Sequence, residues 1–318
     1  MKMEMGEEQT YWLALSLLNK KLNVHEIEKA YRGLGSVAKI WNSELATLEK
    51  FGLSGDALPR IEKVRSTVSI KTLRERVNRL RELKVQMITF RDPAYPALLR
   101  GLMTGSIQAP LVLFHKGALL DMNNCVAIVG TRNLSFGGYL MARQFATAIA
   151  GAGYAVVTGL ARGTDAIANR AAMEIDNAQT VAVLPWMEPL YPPEHERLAS
   201  DIQQRGAIIS ENLCSEDVRG VPTEFVERNR ITSGISHCLV AIESEEKGGT
   251  VHQVNIALSQ GKRVFVVEPQ TDDPKIISGH RLFIGMGAIP VNSPQTVLEF
   301  LTRDRHQTLP DYYSNQRQ

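Results

Sequence analysis

From Val126 onward the chain alternates short apolar runs with longer stretches in which apolar residues recur every three or four positions. Val126-Ala127-Ile128-Val129 is uniformly apolar, as a strand covered on both faces must be. It stops at Gly130-Thr131-Arg132, and a helical pattern begins near Gly138. Comparable apolar runs follow at 154–158, 180–184, 207–211, 238–242 and 263–267. Strands alternating with helices predict right-handed crossovers and an open parallel sheet of the α/β class. Upstream, Pro110-Leu111-Val112-Leu113-Phe114 reads as one further strand, with Lys116-Gly117 as its exit.

The amino-terminal part follows a different period. Residues 8–65 read as a helical module: Trp12-Leu13, Leu15 and Leu17-Leu18 form an apolar segment, and shorter helical pieces follow, broken at Gly33, Gly35 and Gly52. A helix over 71–81 places Leu73, Val77, Leu80 and Leu83 on one face and leaves its basic residues on a solvated one. Val297-Leu298-Phe300-Leu301 marks a last short helix before a polar tail. The expected organisation is a helical domain over 1–70, a connecting helix and approach segment over 71–109, a parallel-sheet domain over 110–302 and a tail over 303–318.

The turns after the strands carry the candidate chemistry. In open α/β sheets ligands bind beyond the carboxyl ends of the strands, and these turns lie there. Gly130, Gly159, Gly163, Gly248 and Gly249 allow the backbone to approach an anion closely, and the amino end of a following helix favours negative charge. Turn geometry accounts for glycine but not for Arg132, Arg162, Arg228 and Arg230, whose planar forks match phosphate oxygens. A phosphate-bearing ligand is the expectation.

Val129-Gly130-Thr131-Arg132, Gly159-Leu160-Ala161-Arg162-Gly163-Thr164-Asp165, Ala182-Val183-Leu184, Leu190-Tyr191-Pro192-Pro193-Glu194, Arg228-Asn229-Arg230-Ile231 and Gly248-Gly249-Thr250 occur in this order. Together they resemble the bacterial DNA-processing protein A (DprA/Smf) family, and the likeness extends upstream to 85–99. It implies a Rossmann-like parallel sheet covered by helices, preceded by a small helical domain of the sterile-alpha-motif type. It also implies a non-catalytic protein that binds and protects single-stranded DNA and presents it to a RecA-type recombinase in DNA uptake and recombination. Homodimers formed through the carboxyl-terminal part of the sheet domain are implied as well, and no cofactor. Carried over by motif, the DNA and phosphate contacts are Gly130, Thr131, Arg132, Gly159, Arg162, Gly163, Asp165, Arg228, Asn229, Arg230, Lys247, Gly248, Gly249 and Thr250. Asp165 and Asn229 act as polar support, and Phe225 is either a base-stacking or a core aromatic.

Departures from the pattern mark where the pocket is remodelled. Pro185-Trp186-Met187-Glu188 stands where the family has a glycine-rich turn, Asn169 where histidine is frequent, and Arg281 where asparagine is customary. A rival reading keeps the superfamily and changes the activity to a nucleotide sensor or a nucleoside-monophosphate phosphoribohydrolase. The latter requires a glutamate three residues after Thr250, and Gln253 occupies that place. An amide cannot act as a general base or stabilise an oxocarbenium-like centre, although Glu211 and Glu243 at strand ends offer substitutes.

Composition refines this without changing it. The 318 residues are 44% hydrophobic and 22% charged, as a folded globular chain requires. Net charge is +2, but residues 1–120 hold 19 Lys and Arg against 12 Asp and Glu, and the remainder 17 against 22. The sheet domain is therefore acidic in bulk, and any polyanion site must gather its cations locally. Residues 1–9 are too polar for a signal peptide and no apolar run approaches a membrane span, which places the expected site of action in the cytoplasm. Cys125, Cys214 and Cys238 lack ligand spacing, and His195 between Glu194 and Glu196 reads as a solvated helix start rather than a metal site.

Overall fold

The computed structural model describes residues 5–18, 24–102, 109–118, 122–215 and 221–305. Most of the expected polar tail, residues 306–318, lies outside the described residues. The chain opens with helices α1 (Met5–Ser16), α2 (Val24–Leu34), α3 (Val37–Asn42), α4 (Leu45–Lys50), α5 (Leu58–Thr67) and α6 (Ile70–Glu82). Gly35 and Gly52 end helices in the left-handed region, at φ +83° and +96°, where a side chain is strained. Gly33 does not break the chain as expected. It lies inside α2, and its missing Cβ leaves room for the ring of Phe51.

Strand β1 (Gln86–Thr89), the short helix α7 (Ala97–Arg100) and β2 (Val112–Gly117) lead into the alternating region. There the order is β3 (Cys125–Val129), α8 (Phe136–Gly151), β4 (Ala155–Thr158), α9 (Thr164–Met173), β5 (Thr180–Val183), α10 (Glu196–Arg205), β6 (Ala207–Ser210), α11 (Val221–Gly234), β7 (Cys238–Ala241), α12 (Gly249–Ser259), β8 (Arg263–Val267), α13 (Pro274–Gly285), β9 (Ile289–Val291) and α14 (Gln295–Arg305). Six of the expected apolar runs are β3 to β8, each within one residue at either end, whereas β2 runs on through Lys116 and Gly117, which were expected as its exit, and β1 and β9 were not expected. Helix α8 begins two residues before Gly138, because Ser135 caps it: the Ser135 Oγ accepts the Gly138 N–H at 2.9 Å.

Among the described residues the sheet order is β1-β2-β6-β5-β4-β3-β7-β8-β9. β3 to β9 are mutually parallel. The extra strand expected before the first glycine turn is β2, and it joins antiparallel to β6, with β1 antiparallel beyond it. The chain starts at β3 in the middle, moves outward through β4, β5 and β6, then returns across α11 to β7 on the other side of β3. Right-handed crossovers in opposite directions place α8, α9 and α10 on one face and α12 and α13 on the other. The reversal leaves a crevice beyond the carboxyl ends of β3 and β7.

Packing holds that edge rigid. Val126 and Ile128 of β3 face a layer made by Phe145, Ile149 and Ala168, while Ala127 and Val129 face Val254, Ala257 and Phe283. A further apolar core runs without interruption from Trp12, Ile40 and Leu73 in the helical part to Phe114, Ile209 and Ile231 around the sheet. The amino-terminal helices are thus fixed to the sheet by apolar burial.

Candidate functional site

The crevice at the reversal point is built from three turns, after β3, β4 and β7, and from helix α11, which carries Arg228 and Asn229 although a turn was expected there. Its first compartment, about 380 Å³, is lined by Gly130, Thr131, Arg132, Gly159, Asp165, Phe225, Arg228, Asn229, Lys247, Gly248, Gly249 and Thr250, among others. A second, about 340 Å³, shares Arg132, Arg228 and Phe225 and continues over Asn133, Arg162, Tyr191 and Glu194. Turns from opposite ends of the sequence close on one another by backbone bonds. Thr131 N donates to the Glu243 carbonyl at 2.8 Å, and Thr164 N to the Thr131 carbonyl at 3.2 Å. Gly130 makes this approach possible, since a Cβ there would collide with the Thr164 side chain. Gly163, at φ +72°, caps α9 and lies against the Arg132 backbone.

Arg132 and Lys247 are exposed, and Arg228 is partly buried beside Asp165. Burial pushes the Asp165 carboxyl above its usual range. Opposing this are the Arg228 guanidinium and the N–H groups of Ala161, at 3.3 Å, and Gly159. Burial likewise works against the charge on Arg228, with Asp165 compensating. The Arg228 Nε is buried without a hydrogen-bond partner, so the guanidinium has donor capacity that the protein leaves unused. Gly248 caps α12 without a side chain, and Gly249 and Thr250 present the helix amino end to the crevice. Two arginines, a lysine and a helix dipole converge where the bulk charge of the domain is negative.

Gly159 separates the members of the Arg228 and Asp165 pair. A Cβ at this position would overlap both the guanidinium and the carboxylate, whereas one at Gly249 meets open space. Gly159→Ala is therefore expected to cost about 1–3 kcal/mol of stability through overpacking. Gly249→Ala is expected to cost nothing measurable. Urea unfolding of the two variants checks this, and equal stabilities would remove the close-approach argument.

The structure does not bring every predicted contact to the crevice. Arg228, Asn229 and Arg230 follow one another on α11, and successive helix residues point about 100° apart. Arg228 and Asn229 reach the crevice, but Arg230 turns inward. There it is buried and forms a bidentate pair with Glu211, at 2.8 and 2.5 Å. Arg162 lines only the second compartment, where Glu194 holds it at 2.5 Å.

The carboxylates offered as catalytic substitutes are also committed: Glu211 to Arg230, and the buried Glu243 to Ser135, whose N and Oγ donate to it at 2.9 and 2.6 Å. Gln253 uses its amide to tie α12 to α11, donating to the Asn229 carbonyl at 2.9 Å. His195 is buried, not a solvated helix start, because its Nδ1 donates to the Leu160 carbonyl at 2.7 Å. Among the described residues no cluster has the composition of a metal site, and no helix is long and apolar enough to cross a membrane.

Two of the departures resolve into structure. Asn169 lies buried under β4, donating to the Thr158 hydroxyl at 2.9 Å and accepting from Thr180 at 2.6 Å. The segment at 185–188 is stitched to 212–215. Asn212 donates to the Pro185 carbonyl at 2.7 Å, and Met187 and Glu188 donate to that of Leu213 at 3.1 and 3.0 Å. Arg281 is exposed and lines neither compartment.

Residues 86–302, more than half of the chain, match the family model described as DNA recombination-mediator protein A. The chain belongs to this family. Within DNA recombination-mediator protein A relatives, it is 33% identical over 208 residues to Protein Smf of Escherichia coli K12, an alignment covering 65% of this chain and 54% of that one. The chain thus spans about half the length of that relative. It is 29% identical over 223 residues to the DNA processing protein DprA of Bacillus subtilis 168, covering 70% and 73% of the two chains. In three dimensions it superposes on DprA of Streptococcus pneumoniae with a TM-score of 0.73 at 24% identity, covering 94% of this chain and 98% of that one. On the Helicobacter pylori protein, solved for its single-stranded DNA binding mode, the TM-score is 0.58 at 23% identity, with 70% and 97% covered. At these identities the structural likeness establishes the fold, and the family model establishes the family.

Proposed function

We propose that the crevice binds single-stranded DNA by its backbone, and that the chain protects the strand and presents it to a RecA-type recombinase in the cytoplasm. The observation that carries the binding is the convergence of Arg132, Arg228, Lys247 and the α12 amino end in a domain that is otherwise acidic. Phosphate contacts position a strand without reading its sequence, so affinity is expected to be sequence-tolerant. Recombinase presentation and dimerisation through the carboxyl-terminal part of the sheet rest on family membership. A non-catalytic role is favoured because Glu211, Glu243 and Gln253 are all committed to internal bonds.

Binding to a fluorescent oligothymidine strand and to its duplex counterpart, over a salt series and with nucleoside monophosphate as competitor, tests this. Three cations on single-stranded phosphates give an expected slope of log K against log salt of about −2. Tight, strand-selective binding with that slope is the expected result. Binding or cleavage of the mononucleotide without binding of the strand would shift the reading to a nucleotide sensor or phosphoribohydrolase.

A further inference from the structure

Helix α8 follows the first strand of the parallel series, and the amino end of such a helix is where open α/β sheets commonly take a ligand phosphate. In this chain a side chain fills that place. Glu243, just beyond the carboxyl end of β7, is buried. Its two carboxylate oxygens accept from the Ser135 N–H at 2.9 Å and from the Ser135 hydroxyl at 2.6 Å. Ser135 caps α8, so the carboxylate lies against the positive end of the helix. Gly138, in the first turn of α8, permits the approach, since a Cβ there would overlap the carboxylate. The crevice receives the amino end of α12 instead. Gly248, Gly249 and Thr250 line it, whereas Ser135, Gly138 and Glu243 line neither compartment.

The same residue holds both ends of the turn that carries Arg132. The Glu243 carbonyl accepts the Thr131 N–H at 2.8 Å and the carboxylate holds Ser135, so Arg132, Asn133 and Leu134 lie between two anchors on one residue. Thr164 steadies the turn from the other side, its N–H and hydroxyl donating to the Thr131 carbonyl at 3.2 and 3.0 Å. Arg132 is exposed and lines both compartments, so the path of this turn sets where its guanidinium points. We propose that Glu243 is an internal anion: it occupies the amino end of α8 in place of a ligand phosphate and is the positioning residue that aims Arg132 into the crevice. Closing α8 in this way directs phosphates to α12 and selects against a mononucleotide seated on α8. The consequence for Arg132 rests on the single-strand reading of the crevice, whereas the occupancy of α8 does not depend on it.

Glu243→Ala removes the atoms of an acetate ion, so acetate is the probe. With acetate exchanged for chloride at constant ionic strength, the melting temperature of Glu243→Ala is expected to rise and that of the parent to stay unchanged. In chloride the variant is expected to bind oligothymidine about tenfold more weakly than the parent, and in acetate to recover toward it. No difference between parent and variant in their response to acetate would overturn the internal anion. Glu243→Gln keeps the volume and replaces one acceptor by a donor, which tests the positioning role without opening a cavity. Combined with Arg132→Ala, it is expected to weaken binding no further than Arg132→Ala alone, because both changes remove the same contact. Additive losses would overturn the positioning role. If the parent binds no strand, the single-strand reading fails, while the acetate response of the melting temperature still decides whether Glu243 fills an anion site.

Discussion

Arg228→Ala is expected to weaken binding of single-stranded DNA by more than tenfold. Charge-assisted hydrogen bonds are worth roughly 1.5–3 kcal/mol each, and about 1.4 kcal/mol is a factor of ten in affinity. Arg228 lines both compartments, which puts its guanidinium within reach of a strand in either. The substitution also leaves Asp165 buried without its nearest cation, which raises the carboxyl further and draws a proton onto it. Some stability is lost with it, so Arg132→Ala serves as the companion variant. Arg132 is exposed, lines both compartments and is expected to show a comparable loss of affinity without a change in melting temperature. For either variant the salt slope should flatten by about 0.7. Fluorescence anisotropy over a salt series measures both quantities, and unchanged affinity in two folded variants would remove the phosphate assignment.

Arg230→Ala is expected to destabilise the protein by about 3–5 kcal/mol, the largest effect of any single substitution considered, while leaving the crevice chemically intact. Its guanidinium and the Glu211 carboxylate are both more than nine-tenths buried and meet in a bidentate fork. Burial works against the charge on Arg230, and Glu211 more than offsets it, holding the guanidinium protonated. Removing one partner strands the other in a low dielectric, and that penalty, not the net worth of the pair, is what the experiment reads. The double substitution Arg230→Met with Glu211→Leu should therefore recover most of the loss. Urea unfolding of the three variants forms the cycle. If Arg230→Ala abolished strand binding and spared stability, Arg230 would belong to the groove, as its motif suggests.

The contrast between these two arginines shows where sequence reading stops. The motif Arg228-Asn229-Arg230 displays two arginines of equal chemical promise. Only the helical path of α11 separates them, turning one toward the crevice and the other toward Glu211. Arg162 is a similar case, since its partner Glu194 lies in a different turn, 32 residues away. The role of Gly33 also depended on a distant residue, the ring of Phe51.

The local pattern by itself determined the α/β class, the strands, the glycine turns and the family likeness. These depend on short-range periodicity, on residues whose backbone freedom differs from all others, and on motifs contiguous in the chain. Tertiary structure alone decided the antiparallel placement of β1 and β2, the commitment of Glu211, Glu243 and Gln253 to internal bonds, and the meeting of Trp186, Tyr191 and Phe225. Each of these is a contact between segments far apart in sequence. Such contacts form only when the elements assemble around the sheet, which no local pattern encodes.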